Sequence, residues 1–487
     1  MPHFRPVVAV QYDIIFRVHS FQVLGCSCTD NLVSAAIDYT TMITLLSTGS
    51  NAHGQLGNNT LDDSHIFQPC SFTNHPPNSL PPETSAVLSV VSGANHTLVL
   101  LELVDQLGLK KTELWGCGDG RAGQLGKIYR EESLAGSSTA KFRKIEMFLE
   151  ENGLPGYSYR LISSTWETSY AVLSCPGKGD VVISMGSDEF GDLGIEGFTR
   201  TAGIEKSEKD FHVVKFDHLS IPSDILHNTL RVESITSGQR HTIVHLRISE
   251  SAMISPILVG WGTSRHGQLG QPAPLSNPKP PPFTSLPQII GLNDIVSSAL
   301  GIHHSLFLHA SGQISALGSN RKNQLHLLPT KRVRAIGCTW NGSYAVVESN
   351  EGWRVYASGS NSHGQLGLMT DPLDDDIPNS GIVHFPEIFD SKSTSIEKIA
   401  CGSEHIFVVS RHNMEDCSVQ QVIKLWGWGW NEHGNLGTGN TDDTLIPLKI
   451  WSNEPGFVSY FEGVHELIGI WAGAGTSWIC CLRNDDA

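Results

Sequence analysis

The stretch GSNAHGQLG, residues 49–57, returns in altered form six more times along this chain. The other copies are GDGRAGQLG (118–126), GSDEFGDLG (186–194), GTSRHGQLG (262–270), GSNRKNQLH (318–326), GSNSHGQLG (359–367) and GWNEHGNLG (429–437). Successive copies, here called turn phrases, end 69, 68, 76, 56, 41 and 70 residues apart. Self-similarity at such a period predicts a solenoid or a propeller.

A second signal follows each turn phrase after a loop of variable length. Four copies place a histidine three residues after a glycine and before an apolar run, at His96, His241, His304 and His405. Three copies lack the histidine, and two of these carry Trp166 and Trp340 at the same place. Apolar runs also lead into the turn phrases, so each unit is predicted to be all-β with four strands.

The two signals, G-x-N-x-x-G-Q-L-G and G-x-x-H-S/T-x-x-L, resemble the repeat of the RCC1 family. The resemblance covers about residues 42–483. It implies an all-β fold, a seven-bladed β-propeller of RCC1 type. We expect the propeller domain over residues 42–487. Residues 1–41 lie outside the repeats, as a poorly ordered or functionless extension, a segment packed at the seam, a partner-binding arm or a stretch upstream of the working start at Met42.

The order of the signals predicts how the ring closes. The repeats begin with the strand that enters a turn phrase, Met42 to Gly49, and end with a second-signal strand, Trp471 to Leu482. These two strands are predicted to pair within one blade, which removes the open sheet edges. In unit five Asn323 replaces an inner glycine, and because asparagine tolerates positive φ, we expect that turn to survive.

Composition narrows the classes of partner. The net charge of −16 disfavours direct binding of nucleic acid, because such proteins present basic stripes or tails. No apolar run is long enough to span a membrane. Ten sparse cysteines favour free thiols in a reducing compartment, so we expect a cytoplasmic or also nuclear protein, and a monomer.

No catalytic constellation stands out, and we expect neither an enzyme, nor a cofactor, nor a bound metal. Glycine-rich phosphate cradles precede a helix and occur once or twice, whereas these phrases recur in every unit. Repeat symmetry spreads the histidines around the ring, one per blade. They are therefore predicted to make structural hydrogen bonds between neighbouring strands rather than to meet at one ion.

A partner-binding surface is predicted near units one, six and seven. Acidic residues follow the turn phrases of these three units, which are consecutive around a closed ring: Asp62, Asp63, Asp374, Asp375, Asp376, Asp442 and Asp443. They form either a solvated rim or a patch that steers a basic partner. Trp430 stands where the other phrases have small or polar residues, as a binding anchor or as a core residue.

Three functions stay open at this point. A compact propeller without a basic tail resembles the fungal α-tubulin suppressor type, which implies an accessory factor. Such a factor partners a small zinc protein in wobble-uridine tRNA modification through Elongator and in diphthamide synthesis. The alternative is guanine-nucleotide exchange on a Ran-like small GTPase. The third is an enzyme or enzyme inhibitor that uses the propeller face. Fold alone does not decide among them.

Overall fold

The computed structural model describes residues 41–196, 210–219, 229–247, 256–270, 281–326, 329, 331–369, 379–387, 393–413 and 421–484. Short antiparallel strands account for almost all regular structure in these ranges. The predicted extension lies outside the described residues except for Thr41, and so do Asp374, Asp375 and Asp376.

The strands run in chain order as β1 Thr41–Gly49, β2 Ser64–Pro69, β3 Thr84–Ser92, β4 His96–Val104, β5 Lys110–Gly118, β6 Arg143–Lys144, β7 Ser158–Ser164, β8 Thr168–Ser174, β9 Val181–Gly186, β10 His212–Val214, β11 Arg231–Ser237, β12 His241–Arg247, β13 Ile257–Thr263, β14 Phe283–Ile290, β15 Ile295–Leu300, β16 His304–His309, β17 Ile314–Gly318, β18 Val333–Cys338, β19 Gly342–Ser349, β20 Gly352–Gly359, β21 Ser380–Ile382, β22 Thr394–Cys401, β23 His405–Asn413, β24 Gln421–Gly429, β25 Thr444–Ser452, β26 Val464–Ala472 and β27 Thr476–Asn484. Helix α1 spans Lys127–Leu134, and a single 3₁₀ turn spans Asp217–Leu219.

These strands form seven sheets, which are the seven blades of a β-propeller. Blade 1 has the order β2–β1–β27–β26, and blades 2 to 7 start in turn at β3, β7, β11, β15, β18 and β22. Each of these starting strands, together with β26, contacts its counterparts in the adjacent blades and is the innermost strand of its blade. Six blades have four strands, whereas blade 5 has three within the described residues. The predicted fold class is confirmed.

Blade 1 closes the ring by pairing the first and the last strand. Residues Thr41 to Gly49 of β1 lie antiparallel to β27, from Thr41 opposite Asn484 to Gly49 opposite Thr476. The closure prediction is confirmed, with one correction of bounds. Trp471 belongs to β26, which ends at Ala472, and a short turn leads to β27, so the closing strand begins at Thr476.

The apolar core lies in layers between adjacent blades. The leucine of each turn phrase points into such a layer, and Leu56, Leu125, Leu366 and Leu436 are fully buried. Five tryptophans of the inner layers are nearly inaccessible: Trp261, Trp426, Trp428, Trp451 and Trp478. Full burial of one such side chain contributes about 2 kcal/mol, so every blade is stabilised mainly by its two neighbours.

The altered turn of unit five keeps the geometry of the others. Asn323 has φ of 63°, in the left-handed region that the glycines of the other phrases occupy. The amide of Asn323 donates to the Asn320 carbonyl at 3.1 Å, and the amide of His326 donates to the Asn323 carbonyl at 3.0 Å. The prediction that this turn survives is confirmed.

Candidate protein-binding face

All seven turn phrases lie at one end of the ring, here called the phrase face, because each phrase follows the third strand of its blade. A side chain of the phrase itself closes the turn. In blade 7 the Asn431 carboxamide oxygen accepts from the Leu436 amide at 2.8 Å, and its nitrogen donates to the carbonyls of Asn440 and Asp442. The loops of this face are therefore fixed by internal hydrogen bonds.

Two of the predicted acidic residues link neighbouring blades. Asp63 accepts from the Asn51 amide at 2.7 Å with one oxygen, and its other oxygen accepts from His433 Nδ1 of blade 7 at 2.7 Å. Asp443 repeats the arrangement one blade earlier, with the Asn431 amide at 2.8 Å and His363 Nδ1 of blade 6 at 2.8 Å. Each carboxylate thus fixes its own loop and joins it to the preceding blade.

Trp430 lies half-buried on the phrase face between two of these histidines. Its ring centroid is 5.4 Å from that of His433, at an interplanar angle of 89°, and 6.2 Å from that of His363. The indole nitrogen donates to the Glu432 carboxylate at 3.3 Å. Trp430 is therefore held in one position while part of its surface stays accessible. This geometry suits an aromatic anchor, and the predicted anchor role stays a prediction.

Asp62 and Asp442 are exposed beside these linked carboxylates, at equivalent places in blades 1 and 7. The structure therefore brings five predicted residues to one sector of the phrase face: Trp430, Asp62, Asp63, Asp442 and Asp443. Their partner-binding role is untested.

The second-signal histidines join the blades through a serine that sequence reasoning did not single out. In each case Nε2 lies within hydrogen-bond distance of a serine Oγ in the next blade, and both side chains are buried. The bonds join His96 to Ser169 at 2.9 Å, His241 to Ser305 at 3.0 Å, His304 to Ser343 at 3.1 Å and His405 to Ser477 at 3.0 Å. The prediction that these histidines make structural hydrogen bonds between strands is confirmed.

The serine hydroxyl also determines which histidine nitrogen carries the proton. Ser477 donates to the Asn435 carbonyl at 2.7 Å, and Ser305 donates to the Gln268 carbonyl at 2.9 Å. Because each of these two hydroxyls has a single hydrogen, Nε2 of His405 and of His241 is the donor, and their Nδ1 atoms are unprotonated. Burial lowers the pKa of His96 and His304 to about 4 and that of His241 and His405 to about 3, so all four are neutral at pH 7.

Two tryptophans meet across the propeller axis. Trp166 of blade 3 and Trp340 of blade 6 replace the histidine-type signal, and their ring centroids are 5.8 Å apart. The amide of Trp166 donates to the Gln239 carbonyl at 2.8 Å, and that of Trp340 donates to the Ser403 carbonyl at 2.7 Å. The two rings lie over a small axial cavity of about 120 Å³. The axis is therefore narrowed at the phrase face.

The described residues offer no evident place for a metal ion. No group of three or more histidine, cysteine, aspartate or glutamate side chains within the described ranges is arranged to hold one. Among the same residues, no helix is long and apolar enough to cross a membrane.

The model of the regulator of chromosome condensation (RCC1) repeat matches residues 44–100, 354–409 and 424–477. These three segments of the chain are therefore RCC1 repeats. The matched segments fall in blades 1 and 2, in blades 6 and 7, and in blades 7 and 1.

Two mammalian RCC1-type relatives match nearly the whole chain. The secretion-regulating guanine nucleotide exchange factor of Bos taurus is 26% identical over 468 residues, which cover 91% of this chain and 84% of that protein. The mouse protein of the same name is 25% identical, over 93% of this chain and 86% of its own length. An RCC1 repeat-containing protein of Schizosaccharomyces pombe is 24% identical, over 90% of this chain and 99% of its own length.

Solved RCC1-type structures agree with the fold. Prp20p of Saccharomyces cerevisiae superposes with a TM-score of 0.61 at 17% identity, covering 92% of this chain and 94% of that structure. Human WBSCR16 gives a TM-score of 0.60 at 18% identity, over 91% and 99% of the two chains. At these identities the likeness establishes the propeller alone.

Sequence reasoning missed a basic sector of the phrase face. Arg240 and Arg265 of blade 4 line a cleft with His303 of blade 5. The sequence signal was present in the phrases of units four and five, where Arg265 and Arg321 are basic at successive units and Lys322 stands at a position that is mostly histidine in the other units. Comparison of the variable phrase positions across the seven units would have found this sector.

Proposed function

We propose that this chain is a non-enzymatic protein-binding propeller whose partner is a small GTPase, on which it acts as a guanine-nucleotide exchange factor. The observation that carries the proposal is the similarity to two proteins named as such factors, over more than nine-tenths of this chain. Such coverage is wide enough for the resemblance to concern the ring as a whole.

The geometry suits a task that needs a rigid surface rather than a reactive group. Nucleotide exchange is promoted by contacts that favour the nucleotide-free conformation of the GTPase, and a protein surface supplies such contacts without covalent chemistry. The phrase loops are fixed by asparagine side chains and by the Asp63 and Asp443 links, so a partner meets a preorganised surface. Within this proposal the chain acts in the cytoplasm or also in the nucleus.

We place the GTPase contact near Trp430, with Asp62 and Asp442 beside it. A fixed, partly accessible tryptophan is a frequent hot-spot residue, and exposed carboxylates steer a basic partner during association. The accessory role in tRNA modification with a small zinc protein has no support from the relatives found. It stays a prediction that the same experiments can test.

Purified full-length protein should be mixed with a set of small GTPases loaded with a fluorescent guanine nucleotide. We expect nucleotide release from at least one GTPase to accelerate about tenfold or more, and Trp430→Ala to reduce that acceleration. Leu107→Ala is a matched control, because Leu107 is 85% exposed and lies in the β4–β5 loop at the opposite end of the ring.

Affinity purification followed by mass spectrometry separates the two functions. Recovery of a small GTPase supports the exchange proposal. Recovery of tRNA-modification proteins without a GTPase, together with unchanged release rates for every GTPase tested, would refute it and favour the accessory role.

A further inference from the structure

A cleft lies on the phrase face away from Trp430, between blades 3, 4 and 5. Its volume is about 410 Å³. Its walls are mainly apolar, with Phe190 from blade 3, Phe283 from blade 4 and Ile302 from blade 5. Phe283 is 40% exposed and belongs to none of the core layers, so its ring is available to a partner.

The mouth of this cleft is basic in a chain of net charge −16. The Arg240 guanidinium lies 3.8 Å from the centre of the Phe190 ring, which fixes its position by stacking. Arg265 is exposed at the rim. Within the described ranges, neither arginine has a carboxylate within ion-pair distance, whereas most other arginines of the blades do.

Basic side chains of the next blade extend this sector. The His266 and His303 rings lie 4.3 Å apart, and Arg265 and Arg321 are close enough for their charges to lower the pKa of both histidines further, beyond the effect of burial. Three acidic residues of the blade 3 turn phrase lie nearby, Asp188, Glu189 and Asp192, and only Glu189 lines the cleft. Burial raises the pKa of Asp192 to about 8, so Asp192 is largely neutral at pH 7. The cleft therefore keeps a positive charge.

We infer that this cleft binds an acidic linear peptide of a partner protein, with an aromatic or aliphatic side chain inserted between Phe190, Phe283 and Ile302. Arg240 and Arg265 then receive carboxylates that flank the inserted side chain. The fixed guanidinium of Arg240 favours two parallel hydrogen bonds to one carboxylate.

Charge and shape favour a peptide over a nucleic acid as the occupant. Nucleic acid requires basic residues along an extended track, whereas this basic sector is confined to blades 4 and 5. The exposed Glu167 of the adjoining blade 3 would repel a polyanion that extends past the cleft. An apolar slot with two arginines at its mouth matches a peptide in which one apolar residue lies between acidic residues.

Selection of a random-peptide display library on the full-length protein tests this inference. We expect enriched peptides in which glutamate or aspartate flanks an aromatic or aliphatic residue. Fluorescein-labelled copies should bind about tenfold or more weakly to Arg240→Glu/Arg265→Glu, measured by fluorescence anisotropy. Lys215→Glu/Lys331→Glu is the matched control, since it makes the same charge change at exposed positions outside the cleft and should leave binding unchanged.

The single variant Arg265→Glu protects the test against misfolding, because its exposed side chain makes no hydrogen bond or ion pair within the described residues. A peptide set without acidic enrichment, or equal affinity for wild type and Arg265→Glu, would overturn the inference. The inference does not depend on the proposed function. Peptide selection needs no GTPase, so failure of one leaves the other standing.

Discussion

Removal of the Ser477 hydroxyl should destabilise the ring by about 3 kcal/mol. In the native protein this buried hydroxyl accepts from His405 Nε2 at 3.0 Å and donates to the Asn435 carbonyl at 2.7 Å. Ser477→Ala leaves both groups buried without this partner, and each costs about 1–3 kcal/mol. The side-chain volume hardly changes, so little of the effect comes from a cavity.

Thr97→Val is the matched control for this prediction. Thr97 occupies the equivalent position in blade 2 and donates to the Gln55 carbonyl at 2.7 Å. The second signal of the preceding blade has Thr476 in place of the histidine, so Thr97 receives no histidine bond. Valine keeps the shape and loses one hydrogen bond, for which we expect about 1 kcal/mol.

The free energy of unfolding should be measured by urea titration at pH 7, with tryptophan fluorescence and circular dichroism as separate probes. A difference of about 2 kcal/mol between the two variants is expected, and it reports the bond from His405. Equal destabilisation of Ser477→Ala and Thr97→Val would show that the histidine link contributes nothing and would refute the reasoning.

Three further predictions concern pH, closure and binding. Because burial lowers the pKa of the four inter-blade histidines below the unfolded value of about 6.5, their stability contribution is complete above that pH. This contribution is lost as the pH falls from about 6.5 toward about 4, by about 1 kcal/mol per histidine and pH unit. A urea midpoint that stays constant over this pH range would contradict the prediction. Deletion of residues 1–40 should leave the unfolding midpoint nearly unchanged. Deletion of residues 476–487 should give insoluble protein, because it removes β27 from between β1 and β26. If the protein without residues 476–487 is soluble and unfolds cooperatively, the closure reasoning is wrong. Once a partner is known, Trp430→Ala should weaken binding by about 2 kcal/mol or more, mainly through faster dissociation. The charge-reversed variant Asp62→Lys/Asp442→Lys should associate more slowly in surface-plasmon measurements. Unchanged association and dissociation rates in both variants would show that the interface lies elsewhere.

The sequence predicts the fold well because the fold is a repetition. Seven turn phrases determine the number of blades, and the order of the two signals determines that β1 pairs with β27. The survival of the turn at Asn323 follows from a local property of asparagine, so it needed no structure.

The links between blades could not be read so directly, because they join residues far apart in sequence. His433 and Asp63 are separated by 370 positions, and Trp166 reaches Trp340 only across the axis. The pairing of histidine with serine was nevertheless visible in the repeat. Each blade that follows a histidine-type signal has serine at the bonded position of its own second signal. The blades that follow the three signals without histidine have Thr97, Thr242 and Ile406 there.

Closure of blade 1 has a consequence for how the protein is made. Strands β1 and β2 are synthesised before the rest of the ring, yet β1 finds its partner β27 only after more than four hundred further residues have been added. During that interval the edge of β1 and apolar side chains such as Leu45 and Leu46 have no native cover. Blades 2 to 4 contain only strands that are contiguous in the chain, so they can assemble while synthesis continues. Completion of the ring is thus a late, long-range event, and the newly made amino-terminal hairpin is the segment most in need of a chaperone.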